Sequence, residues 1–265
     1  MPNRSERNHK QIINHETFPD SEMVIKILMR LTDKKSYLSD LKKGYQSAEA
    51  NFLPKSLHHR FPFPFKIEGS NAFLSILGFY SSMNFLEPGK GPGNHHAIDF
   101  SIPVGPNGQT DISIIAPHTG LLGVVDTDVA FGNPLVKNQA DLIFFDPENS
   151  LFWSFVHMSK NTLKPEILRA TPNNVLALNA GDILGNVAPW HFPQAEYEER
   201  GVTFPQNVTD AFRSIDGYMA EVTSHLHLEV WFAPDARIGL NGSPMEWNPS
   251  KKRKINPLVL LPKLF

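Results

Sequence analysis

The chain has 265 residues, 41% of them hydrophobic and 20% charged, with a formal net charge of -2. It is long enough to bury a sizeable core, and it lacks the basic excess that would point to nucleic acid or an anionic membrane as partner. There is no cysteine, which excludes disulfides and thiolate zinc sites and leaves histidine and carboxylate as ligands.

The polar stretch from Met1 to Lys10 is followed by no apolar run of signal-peptide length, and no stretch reaches the length of a membrane span. Residues 1 to about 18 read as a loosely held arm. A helix signal follows, with Asp20 or Ser21 as cap and Val24, Ile27, Leu28 and Leu31 at i, i+3, i+4 and i+7. A weaker one runs through Tyr37, Leu38, Leu41 and Tyr45, so residues 1–60 are expected to form an α-rich N-terminal region, partly disordered.

The segment Phe61-Pro62-Phe63-Pro64-Phe65 is expected to be extended, because each proline pushes the residue before it out of the helical region. Short apolar runs then alternate with Gly, Pro, Asn and Asp: Phe73 to Tyr80, Ala97 to Pro103, Ile112 to Ala116, Gly120 to Val125, Leu142 to Phe145, Leu151 to His157, Val175 to Leu178, Ile183 to Val187 and His225 to Phe232. Their lengths predict strands of an antiparallel, mainly β domain over residues 62–262. Residues 189–222 interrupt the rhythm with Pro189, Pro193, Pro205 and the acidic Glu196-Tyr197-Glu198-Glu199, and read as an insertion between two strands with a short helix through Ala211, Phe212 and Ile215. The basic run Lys251-Lys252-Arg253-Lys254 reads as a solvated turn.

Chemistry concentrates in three segments: Asn94-His95-His96-Ala97-Ile98-Asp99-Phe100, Phe155-Val156-His157-Met158-Ser159 and Ser224-His225-Leu226-His227-Leu228-Glu229-Val230. Two imidazoles and a carboxylate hold Zn²⁺ and leave one position open for water, the mark of a catalytic site. The remaining histidines would then handle protons beside it. Strand alternation sends His225, His227 and Glu229 to one face and Leu226, Leu228 and Val230 to the core. Ile98 and Phe100 would likewise face inward and Asp99 toward the site. Either His95 or His96 is placed to act with Asp99.

The order His-x-x-x-Asp, aromatic-x-His-hydrophobic-Ser and His-Leu-His-hydrophobic-Glu-Val resembles that of the lysostaphin/LytM-like zinc metallopeptidases. Ile115-Ala116-Pro117-His118-Thr119-Gly120-Leu121, Asn179-Ala180-Gly181-Asp182-Ile183-Leu184-Gly185 and Ile255-Asn256-Pro257-Leu258 resemble that family's connecting segments and ending, so the resemblance covers residues 62–262. It implies an antiparallel β-sandwich or barrel-like core of the LytM type, a duplicated hybrid motif. It implies one zinc per chain on His95, Asp99 and His227, with His157 and His225 as the catalytic pair, and Glu229 is a candidate to orient a ligand histidine. The activity implied is hydrolysis of peptide bonds, first of all in peptidoglycan cross-bridges, in an extracytoplasmic compartment. Ala97 stands where the family usually has glycine, and the insertion at 189–222 where it usually has a short loop. Two other readings are a non-catalytic LytM-like module and a histidine phosphocarrier of the sugar-phosphotransferase IIA type, which resembles this fold and uses two facing histidines. One or both of the N-terminal region and the insertion are expected to wall the active-site groove.

Overall fold

The computed structural model describes Lys42, Val104 and Trp247 and residues 52–68, 75–78, 97–102, 110–126, 139–188, 224–240, 242–244 and 252–264. Apart from the helical Lys42, the expected N-terminal helices, the insertion at 189–222, His95 and His96 lie outside them.

Among the described residues eleven strands follow in chain order: β1 (Phe65–Ile67), β2 (Ser75–Gly78), β3 (Ile98–Ser101), β4 (Ile112–Ile115), β5 (Gly120–Asp126), β6 (Gln139–Asp146), β7 (Leu151–Ser159), β8 (Leu176–Leu178), β9 (Ile183–Gly185), β10 (His225–Phe232) and β11 (Arg253–Ile255). Among the described residues the helical elements are single turns, such as α1 (Pro165–Leu168) between β7 and β8. One sheet has three strands in the order β1-β4-β9. The other has eight, in the order β2-β3-β10-β7-β6-β5-β8 with β11 beside the far end of β10. All these pairings are antiparallel. The larger sheet runs open from β2 to β8 rather than closing into a barrel.

The core fills the space between the sheets. From the larger sheet come Phe100, Leu142, Phe144, Trp153, Phe155, Leu226, Leu228 and Val230, each the inward member of an alternating strand. From the smaller come Phe65, Ile67, Ile112, Ile114 and Leu184. The Phe-Pro run is extended as expected, so Phe61, Phe63 and Phe65 at alternate positions all point inward, each 1% exposed. Phe65 meets Phe100 edge-on at 5.0 Å and Phe61 meets Trp153 at 5.2 Å, which joins the sheets.

Two strands depart from expectation. β1 continues the Phe-Pro run, and β11 takes up part of the basic run read as a turn. Arg253 to Ile255 pair with Val230 to Phe232 of β10, and the Lys252 and Lys254 ammonium groups sit over the Trp231 ring at 4.5 and 5.6 Å. A cation over the face of an aromatic ring is attracted by its quadrupole, so these two lysines are packed on the aromatic surface rather than fully solvated.

The turn from β6 to β7 is tied by charge. Asp146, wholly buried, accepts from the backbone and side-chain amides of Asn149 and lies 3.3 Å from His118 Nδ1. The hydrogen bond to Asp146 raises the His118 pKa against partial burial, with smaller help from Glu148. A raised folded-state pKa contributes stability that is full below the ordinary value of 6.5 and lost as pH rises through the folded value. The melting temperature of the wild type relative to His118→Gln should therefore fall as pH is raised above about 6.5. A difference that stays flat from pH 5.5 to 9 in thermal melts would exclude this pair as a stabilising contact. Taking the difference removes the contribution of every histidine common to both proteins.

Candidate functional site

β3, β10 and β7 lie side by side and carry four of the five expected site residues. Register explains why Asp99 meets His227. The Ile102 amide donates to the Ser224 carbonyl, so 102 and 224 form a hydrogen-bonded pair of the antiparallel ladder. The pairs Ser101–His225 and Asp99–His227 are then the non-hydrogen-bonded kind, in which the α-carbons are about 4.5 Å apart and side chains on one face crowd together. Asp99 Oδ1 accordingly lies 2.9 Å from His227 Nδ1, both residues buried. Leu226, Leu228 and Val230 point the other way, wholly buried in the core.

His157 reaches the same face by a different device. β7 does not end at His157 but runs through it to Ser159. Against β6, Ala140 pairs with Met158 and Leu142 with Phe155, so Val156 and His157 together stand opposite Asp141. This is a β-bulge with one extra residue on β7. His157 takes a left-handed conformation there, φ 68°, which few non-glycine residues adopt and which costs on the order of 1–3 kcal/mol. Its backbone is held on both sides, the amide donating to Asp141 Oδ1 at 3.2 Å and the carbonyl accepting from Ala188 at 2.8 Å. The bulge turns the ring toward β10, where its centroid lies 4.7 Å from that of His225 and 6.0 Å from that of His227. His157 Nδ1 lies 2.8 Å from the side-chain oxygen of Gln139.

Carboxylates surround His227. Glu229 Oε1 stands 3.2 Å from Nε2 and itself pairs with Lys254 at 3.2 Å. Burial works to lower the His227 pKa, but the hydrogen bonds and charges of Asp99 and Glu229 outweigh it and raise the pKa to about 10. Glu229 is lowered in turn: burial opposes ionisation, and the contacts with His227 and Lys254 prevail. This is a buried seat built for positive charge, whether the charge is a proton on His227 or a cation between His227 and Asp99. A tetrahedral zinc with bonds of about 2.0–2.1 Å spaces its donors about 3.3 Å apart, so the 2.9 Å pair would open by a few tenths of an ångström to admit it. Ser101, beside His225, keeps a buried hydroxyl with no hydrogen-bond partner among the described residues, a polar atom available to a ligand. The donor set present therefore fits zinc in kind. Among the described residues no group of three or more His, Asp or Glu is arranged to hold a metal. His95, the third expected ligand, and its rival His96 lie outside the described residues.

Sequence reasoning missed Gln139 and Asp141. The strand expected from Leu142 begins three residues earlier, and Gln139-Ala140-Asp141-Leu142 already shows the polar-apolar alternation that marks both as facing the site. Farther along the same face Phe145, Phe152, Trp231 and Ala233 form a second buried cluster, packed against Ile143, Ala236 and Trp247. Phe145 and Phe152 stack at 4.5 Å. Among the described residues no helix is long and apolar enough to cross a membrane.

No family model and no curated protein matches the chain. Among solved structures it is similar to Helicobacter pylori Csd3, at 15% identity over 74% of this chain and 36% of that one, with a TM-score of 0.34. It is similar to lysostaphin at 12% identity, 64% and 47% coverage and a TM-score of 0.35, and to LytU at 17%, 64% and 79% with 0.32. The chain thus spans about a third of the length of Csd3 and about half that of lysostaphin. Likenesses this distant carry no weight on function, which rests on the motifs and the site.

Proposed function

We propose that the chain is a zinc-dependent endopeptidase acting on peptides of the peptidoglycan cross-bridge class. The observation that supports it best is the gathering of the Asp99–His227 pair, His157 and His225 on one face of the sheet, two of them within 2.9 Å and the others with rings 4.7 Å apart. His95, Asp99 and His227 would hold the metal. Zinc there supplies Lewis acidity, which polarises a carbonyl and makes water more acidic. The chain's own residues do the rest. His157 and His225 take a proton from the attacking water and return one to the leaving amine, or donate to the developing oxyanion. Glu229 orients His227 through Nε2 and is itself fixed by Lys254. Cross-bridge peptide as the substrate follows from the resemblance of the motif order.

A phosphocarrier would find its two facing imidazoles in His157 and His225 but would leave the buried Asp99–His227 pair without a task. The test is zinc content of the purified full chain together with hydrolysis of cell-wall fragments and glycine peptides, with and without a chelator. About one zinc per chain and chelator-sensitive cleavage are expected. Cleavage indifferent to chelator would overturn the zinc mechanism. Zinc without cleavage would indicate the non-catalytic module, and phosphorylation by a phosphocarrier without zinc the third reading.

A further inference from the structure

Gln139 is buried at the start of β6, and the hydrolysis proposed above assigns it nothing. Its side-chain oxygen lies 2.8 Å from His157 Nδ1. Two residues along the strand, on the same face, Asp141 accepts the His157 backbone amide at 3.2 Å. One strand therefore grips His157 twice. The carboxylate holds the backbone in its left-handed turn, and the neutral amide holds the ring.

The division has a chemical consequence. An amide oxygen accepts hydrogen bonds and cannot donate. With that oxygen against Nδ1, the neutral ring carries its proton on Nδ1 and its lone pair on Nε2. β7 lies between β6 and β10 in the sheet, so a ring whose Nδ1 is turned to β6 presents its other edge to His225 and His227. We propose that Gln139 is a positioning residue that fixes His157 in the Nδ1–H tautomer and aims its Nε2 edge at the β10 histidines. The catalytic use of that orientation rests on the peptidase reading; the tautomer does not.

The experiment reads the tautomer directly. Imidazole ¹⁵N–¹H correlation spectra are recorded on the full chain, metal-free, with the His157 signal identified by its loss in His157→Ala. A protonated Nδ1 and an unprotonated Nε2 are expected in the wild type. In Gln139→Leu the ring should drift toward the mixture of free imidazole, in which the Nε2–H form is prominent, while Gln139→Glu, whose oxygens also accept, should retain Nδ1–H. For cross-bridge peptides, kcat of Gln139→Leu should fall about 10- to 100-fold with KM little changed. A wild-type ring protonated at Nε2, or a Gln139→Leu ring with unaltered tautomer, would overturn the proposal. Should Gln139→Leu fail to fold, the wild-type spectrum decides alone. Nδ1–H in a protein that hydrolyses nothing would sink the peptidase reading and leave the positioning role standing.

Discussion

His227→Ala should lose zinc and hydrolysis together, both falling to background. Three protein ligands with one open position make a catalytic zinc site, and removing one leaves too few to retain the ion. His227 stands at the centre of the polar cluster, 2.9 Å from Asp99 and 3.2 Å from Glu229. In the metal-free protein the substitution also takes the imidazolium from between two carboxylates, which in a buried pair costs about 3–5 kcal/mol. Activity should therefore be compared below the variant's own melting temperature, with folding checked by circular dichroism. Leu228→Ala separates the two effects. Leu228 is wholly buried on the opposite face of the same strand, so its truncation should cost about 2–5 kcal/mol while zinc stays bound. A His227→Ala protein that still holds one zinc per chain would remove His227 from the ligand set.

What the sequence made legible is the part governed by local periodicity. Each strand expected from a short apolar run has its counterpart in β2 to β10, and the facing of Leu226, Leu228 and Val230 away from His225 and His227 follows from a period of two. The parts that escaped depend on partners distant in sequence. β1 and β11 lie in a phenylalanine-proline run and a basic run rather than in isolated apolar runs, and they are strands because β4 and β10 pair with them. The β7 bulge is a mismatch between strands and leaves no mark in Phe155-Val156-His157-Met158; alternation alone would send His157 into the core beside Phe155. The same mismatch makes Gln139 and Asp141 partners of His157. Apart from Lys42 and residues 52–60, the expectations for the N-terminal region, the insertion and His95 fall on residues outside those described.

The bulge also shapes what removing His157 should do. His157→Ala and His225→Ala should each lower kcat/KM about 10²- to 10⁴-fold, the usual contribution of a general acid or base, with zinc content unchanged because neither is in the proposed ligand set. The two should differ in stability, for a reason that has nothing to do with catalysis. At φ 68° alanine keeps the Cβ clash that histidine tolerates and loses its ring contact with Gln139, whereas glycine has no such clash. His157→Gly should therefore be more stable than His157→Ala by about 1 kcal/mol and equally inactive. Denaturant melts give the stability order, and turnover of cross-bridge peptides with zinc analysis gives the rest. If His157→Ala loses its zinc, His157 is a ligand rather than a proton-handling group. If glycine and alanine are equally stable at position 157, the left-handed turn is not a strained one, and the bulge aims the ring without storing energy in the backbone.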